Sequence, residues 1–173
     1  MSAYENDELD IYITDEDDED SMKDRFLTFS VGKEIYALEI LYVLEIIGIQ
    51  TITEVPDLPQ YVKGVINLRG NVIPVMDVRL RFNLSAMEYH ERTCIVVVDV
   101  EGVSVGLIVD SVAEVIHIPE EQQAAPPDLR KEKTSSFIKG MGKMKERVIL
   151  LLDVNRLLYD DDRRICASIS EAN

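Results

Sequence analysis

The sequence predicts a mainly-β protein: two small β-barrels of about five strands each, packed side by side. Two observations predict it. Apolar residues come in short runs, alternating or continuous, and each run is closed by Gly, Pro, Asn or Asp. The chain also repeats itself. Lys63-Gly64 and Lys139-Gly140 stand 76 residues apart, as do Val72-Ile73 and Val148-Ile149, and Asp77-Val78 and Asp153-Val154. At a spacing of 69, Val43-Leu44-Glu45-Ile46-Ile47 lies over Val112-Ala113-Glu114-Val115-Ile116. Both matches run in the same order, and each half ends a hairpin with Asp-Val before a helix, so the unit is a duplication. A small sheet hides its unpaired edges by closing on itself, which favours barrels.

The elements follow in order. FLTFSV (26–31) alternates as a half-buried strand does, Gly32-Lys33 turns, and EIYALEI is the second strand. Leu38 to Leu44 bends into a short helical turn before VLEIIGI. TITEVPDLP holds Pro56 and Pro59, which break a ladder and mark a loop. GVINL and NVIPVMDV form a hairpin across Arg69-Gly70-Asn71. Pro74 cannot donate to a ladder, so its strand is expected at an edge or a bulge. RLRFNL reads as a short helix after Asp77.

The second half starts again with CIVVVDV (94–100), a continuous apolar run expected to be buried on both faces. Glu101-Gly102 turns the chain into VSVGLIVD, and VAEVIHI follows. Residues 120–136 are polar, contain Pro126-Pro127 and read as a long loop. FIKGMGKMKE and RVILLLDV form the last hairpin. NRLLYDDD closes the fold as a helix, frayed where Asp160–Asp162 meet the negative end of its dipole. Residues 159–173 read as a loose C-terminal tail.

Charge divides the chain. The net charge is −15, but residues 1–24 hold eleven acids against Lys23 alone, a net of −10. The remaining residues carry 22 acids and 17 bases, a net of −5. A block such as DEDDED repels itself and cannot build a core, so residues 1–24 are expected to be disordered and solubilising. The balance argues against nucleic acid, which needs a basic footprint. No run of 18 uncharged apolar residues exists to cross a membrane, and the start lacks the pattern of a signal peptide. Cys94 and Cys166 lie far apart and fit reduced thiols in a cytoplasmic protein.

Chemistry is scarce. His90 and His117 have no ligand partner at metal spacing. KGMGKMKE fits neither the Walker pattern nor a dinucleotide fingerprint, and no G-x-S-x-G elbow exists. Asp77 and Asp153 each precede a helix, where an N-cap explains them. Arg69, at a hairpin tip, is suited to an interface because its planar fork binds carboxylates and stacks. Glu45 interrupts an apolar run. Strict alternation turns Leu44 and Ile46 inward and leaves Val43 outside beside Glu45.

GVINLRGNVIPVMDVR, preceded by EIYALEILYVLEII and followed by VGLIVDSVAEVI and GMGKMKERVILLLDV, closely resembles CheW, the bacterial chemotaxis coupling family. The resemblance covers roughly Arg25 to Leu158 and leaves the acidic tail outside. It implies two five-stranded SH3-like barrels, the first over roughly 25–85 and the second over roughly 92–158, with exchange of strands between them left open. It implies a non-enzymatic adaptor with no catalytic residue, cofactor or metal. Its expected partners are the signalling tip of chemoreceptors and the regulatory domain of the histidine kinase CheA, with which such proteins alternate in rings beneath receptor arrays. A cytoplasmic protein recruited to the inner face of the membrane is implied. The family's receptor contact maps onto Val43, Glu45, Lys63, Gly64, Arg69 and Val115. With neither a receiver domain nor an ATP-binding module in this sequence, the resemblance points to a stand-alone coupler. Two other readings stand beside it: a scaffold for a CheA-like kinase of a non-flagellar pathway, and a metal-dependent enzyme using Asp77, Asp153 and tail acids.

Overall fold

A computed structural model describes residues 22–125 and 137–158; the acidic tail up to residue 21, Asp160–Asp162 and Cys166 lie outside the described residues. The strands are β1 (Arg25–Val31), β2 (Glu34–Glu39), β3 (Val43–Gly48), β4 (Val62–Leu68), β5 (Asn71–Asp77), β6 (Cys94–Val100), β7 (Val103–Val109), β8 (Ser111–His117), β9 (Gln123–Ala124), β10 (Ile138–Met144) and β11 (Arg147–Leu152). Two short helices, α1 (Val78–Arg81) and α2 (Val154–Leu157), follow β5 and β11. A 3-10 turn at Ile40–Tyr42 occupies the bend expected there. The fold is mainly β, as expected.

The strands form two sheets, ordered β8-β1-β2-β11-β10-β9 and β3-β6-β7-β5-β4. Each sheet takes its opening hairpin from one half of the chain and its other strands from the other half. The β1–β2 hairpin sits between β8 and β11, and the β6–β7 hairpin between β3 and β5. The duplicated units therefore exchange hairpins.

In both sheets the chain leaving one edge crosses to the other. After β3, Thr53 pairs antiparallel with Val65 on β4, donating at 2.8 Å and accepting at 2.9 Å. After β8, the chain reaches β9, which pairs with β10. Each sheet is thereby closed on itself.

The repeated Lys-Gly pair marks the place where this crossing is made. The register shifts between Val62 and Gly64, and again between Ile138 and Gly140. A Cβ on Gly64 would stand 2.1 Å from the Thr53 carbonyl oxygen, and its φ is +145°, so only glycine fits. On Gly140 a Cβ would meet the Ala124 oxygen at 3.0 Å. Lys63 and Lys139 are the extra residues of these bulges, and the duplicated glycines that follow them let a crossing strand lie close.

The core has three parts. The largest lies between the sheets and holds Leu27, Phe29, Tyr36, Leu38, Val96, Val98 and Leu107. Ile66, Ile73, Val75, Ile95, Val97 and Ile108 fill the interior of one closed sheet, and Phe26, Ala37, Ile118, Ile149 and Leu151 that of the other. CIVVVDV is buried on both faces as expected, because Val96 and Val98 face the common core while Ile95 and Val97 face a barrel interior. FLTFSV differs from its half-buried expectation. Phe26 to Phe29 are all buried, and the Thr28 hydroxyl donates to the Glu114 carbonyl at 2.8 Å. The exchanged hairpin places β1 between two apolar layers, which its sequence alternation does not reveal. Pro74 lies on an internal strand, not an edge. Pairing of β5 with β7 begins only at Val75, so β4 alone flanks β5 at the proline.

The helices join the halves. Asp77 caps α1, accepting from the Arg79 and Leu80 N–H groups at 2.9 and 3.4 Å, and Asp153 caps α2 through the Arg156 N–H at 3.2 Å. Both caps are as expected. Arg81 donates to the Leu157 carbonyl at 3.0 Å, 76 residues away. Its guanidinium lies 4.6 Å from the Tyr61 ring centroid and 4.5 Å from that of Phe137, themselves a repeat pair.

Candidate partner-binding surface

The six candidate residues fall into three places. Glu45 on β3 and Arg69 at the β4–β5 tip form an ion pair, with the Arg69 guanidinium donating to Glu45 Oε2. The pair joins strands from opposite edges of one sheet, so it forms only because that sheet is closed. The turn that presents Arg69 is a two-residue hairpin loop with φ of 52° at Arg69 and 88° at Gly70, the sign pattern of a type I′ turn. The Asn67 side chain accepts the Gly70 N–H at 2.8 Å and fixes it. Arg69 is 67% exposed on its side chain and Glu45 only 25%, so the arginine is the member of the pair that a partner meets.

Val43 and Val115 form the second place. Val43 and Ile46 on β3, and Val112 and Val115 on β8, are partly buried residues packed on the margin of the common core. They are repeat equivalents at a spacing of 69. Each pair lies on the end strand of its own sheet, and both pairs pack against the common core. Lys63 and Gly64 form the third, at the start of β4, six residues and about 20 Å of strand from Arg69. Gly64 is buried under the crossing segment and Lys63 is half-buried.

One expectation about β3 fails. The register of β3 on β6 shifts between Val43 and Glu45, so Leu44 is a bulge residue. Val43 therefore packs on the common core, while Leu44 points out and is 50% exposed. Leu41, in the preceding 3-10 turn, is 54% exposed. The apolar surface beside Glu45 is made of Leu41 and Leu44, not Val43. Alternation alone misses this, because a bulge inverts every side chain beyond it.

The remaining polar groups serve the fold. Tyr89 donates to Asp77 Oδ2 at 2.8 Å, so both oxygens of that 4%-exposed carboxylate are committed. Burial, that hydrogen bond and the Asp77 charge all push the Tyr89 phenol up in pKa. Burial pushes the Cys94 thiol up, away from the reactive thiolate. His90 accepts the Arg92 N–H on Nδ1 at 3.0 Å within a tight turn. Arg79 grips Asp110 through Nε at 3.0 and 3.2 Å and through its terminal nitrogen at 3.1 Å. Asp110 Oδ2 also accepts the Gly32 N–H at 2.8 Å, which ties the β1–β2 turn to the other sheet. Among the described residues no three His, Cys, Asp or Glu side chains converge as metal ligands, and no helix is long and apolar enough to cross a membrane.

Two closed sheets sharing exchanged hairpins and one core, with part-buried apolar margins and an ion pair at the rim of one barrel, define a two-barrel β module. A family model described as a CheW-like domain matches residues 25–162. The chemotaxis protein CheW of Klebsiella aerogenes is 31% identical over 86% of this chain and 89% of that protein, and the one from Helicobacter pylori is 35% identical over 84% and 87%. The crystal structure of the scaffolding protein TtCheW from Thermoanaerobacter tengcongensis superposes with a TM-score of 0.74 at 33% identity, covering 80% of this chain and 94% of that one. The chain belongs to the CheW family.

Proposed function

We propose that this protein is a non-enzymatic adaptor that couples chemoreceptors to the histidine kinase CheA in chemotaxis signalling, working in the cytoplasm at receptor arrays. The observation that carries the reading is the family match across both closed sheets, residues 25–162, with relatives named chemotaxis protein CheW. Its apolar margins support it physically. An amphipathic receptor helix lays its apolar face along the exposed Leu44 and the part-buried Val43 and Val115, as in helix-in-groove recognition. Glu45 and Arg69 set its register by charge more than they add affinity. Gly64 acts indirectly, by holding the crossing segment on β4, and Lys63 supplies a cation at the far end of that strand. The CheA regulatory domain, itself CheW-like, is the second partner, and repeated pairing with it builds rings.

Co-sedimentation with receptor signalling fragments and CheA from the same organism, with kinase autophosphorylation followed in the same tubes, tests the reading. Entry into the complex with receptor-dependent kinase activity is the expected result. Failure to bind either partner overturns it.

A further inference from the structure

The duplication carries a second copy of the Arg69 tip, and its chemistry differs. At a spacing of 76, Asn67, Arg69, Asn71 and Val72 correspond to Lys143, Lys145, Arg147 and Val148 at the β10–β11 turn. The first tip has one cation, neutralised by Glu45. The second has three, with only Glu146 among them, and all are exposed. Among the described residues none of the three joins an ion pair. Glu114, the repeat equivalent of Glu45, is exposed on β8 and makes no ion pair with Lys145. Val148, directly across the ladder from Lys143, is 51% exposed. This tip is a basic surface with an apolar centre, apart from the residues assigned to receptor contact.

The chain itself holds the complementary charge. Residues 1–21 contain ten acids and no base, around a short apolar stretch, Ile11-Tyr12-Ile13. They join the described structure beside this tip. The Asp24 carboxylate accepts from the Gln123 side chain at 3.0 Å, and the Asp24 carbonyl accepts the Ile118 N–H at 2.8 Å. Gln123 pairs with Gly142, the residue before Lys143. Twenty-one residues reach at most about 70 Å, far more than the about 10 Å of strand from Gly142 to the turn. Glu120 and Glu121 near the point of entry disfavour acids there, which moves the favourable position outward to the tip.

We infer that the acidic segment 1–21 docks on the β10–β11 tip of its own chain, its carboxylates on Lys143, Lys145 and Arg147 and an apolar side chain on Val148. Tethering makes this contact intramolecular, with an effective concentration of about millimolar order, so weak ion pairs suffice. The contact needs neither receptor nor kinase.

Paramagnetic relaxation on the full chain tests it. A spin label at Leu9→Cys, in a background with Cys94→Ser and Cys166→Ser, is read by amide spectra. The expected result is selective loss of intensity at residues 143–148. That loss is reversed in 1 M salt, where screening shortens to about 3 Å, and in the triple variant Lys143→Glu, Lys145→Glu, Arg147→Glu. Loss centred elsewhere, such as around Leu44, or no localised loss, overturns the inference. So does loss that appears only when label and isotope are on different copies in a mixed sample. If the label background fails to fold, the unlabelled native chain and the triple variant are compared directly. Shifts in the signals of residues 5–20 are expected, and their identity in the two chains overturns the proposal.

Discussion

Arg69 and Glu45 lie 24 residues apart in sequence and on opposite edges of one sheet, yet their side chains meet in an ion pair. The contact is the rim of a closed barrel. Exposed pairs of this kind contribute about 0–1 kcal/mol, so their role is better sought in recognition than in stability.

Arg69→Glu is expected to shift folding stability by no more than about 1 kcal/mol and to weaken receptor coupling strongly. Arg69→Gly separates the two effects. It relieves a non-glycine residue at φ of 52°, so stability holds or rises by about 0.5–1 kcal/mol while coupling is still lost. Denaturant unfolding and receptor-dependent kinase activity, measured on both variants, check this. Wild-type kinase control in Arg69→Glu would falsify the rim role.

Leu44→Lys is expected to leave stability within about 0.5 kcal/mol, because the bulge turns Leu44 outward. Val43→Lys, one residue earlier, places an ammonium against the common core and is expected to cost several kcal/mol. A loss of partner binding in the first, with an unchanged melting temperature, assigns Leu44 to a contact surface. Equal destabilisation by the two would contradict the bulge.

Gly64→Ala is expected to destabilise by more than about 3 kcal/mol, since its Cβ has no room and its φ suits glycine alone. Gly140→Ala, with a 3.0 Å approach, is expected to cost clearly less. Chemical unfolding of the two variants gives the comparison. Any loss of coupling in Gly64→Ala then follows from the loosened crossing segment.

Tyr89→Phe removes a donor from a buried carboxylate and is expected to cost about 1–3 kcal/mol near neutral pH. It also changes the alkaline limb. The folded chain holds this phenol protonated, whereas an unfolded tyrosine titrates near 10. The stabilisation is complete below pH of about 10 and is lost as pH rises through the higher folded-state value. Stability of the native chain therefore falls more steeply above that pH than stability of the variant. Tyr36, shifted the same way by burial, keeps a residual slope in both. Parallel alkaline limbs would sink the assignment.

Arg79→Ala leaves the Asp110 carboxylate, 17% exposed, with only the Gly32 N–H among these partners, and is expected to cost about 2–3 kcal/mol. Thermal unfolding monitored by circular dichroism reads it.

By itself the sequence determined the long strands, their turns, both helix caps and the duplication, because each is written in local chemistry: apolar runs, glycine and proline punctuation, and Asp-Val before a helix; it read the two-residue β9 as loop, because only its pairing with β10 makes Gln123–Ala124 a strand. The resemblance to CheW was legible in the same stretches. Tertiary structure decided which half supplied which strand, since hairpin exchange leaves no mark on local periodicity. It buried FLTFSV on both faces and made the Pro74 strand internal for the same reason. It also decided the surface beside Glu45. One bulge residue, set by how β3 lies on β6, turned Leu44 outward and Val43 inward, and no pattern of apolar residues specifies where such a bulge falls. The meeting of Arg69 with Glu45 belongs to the same class: both residues were visible in the sequence, but only closure of the sheet brings its two edges together.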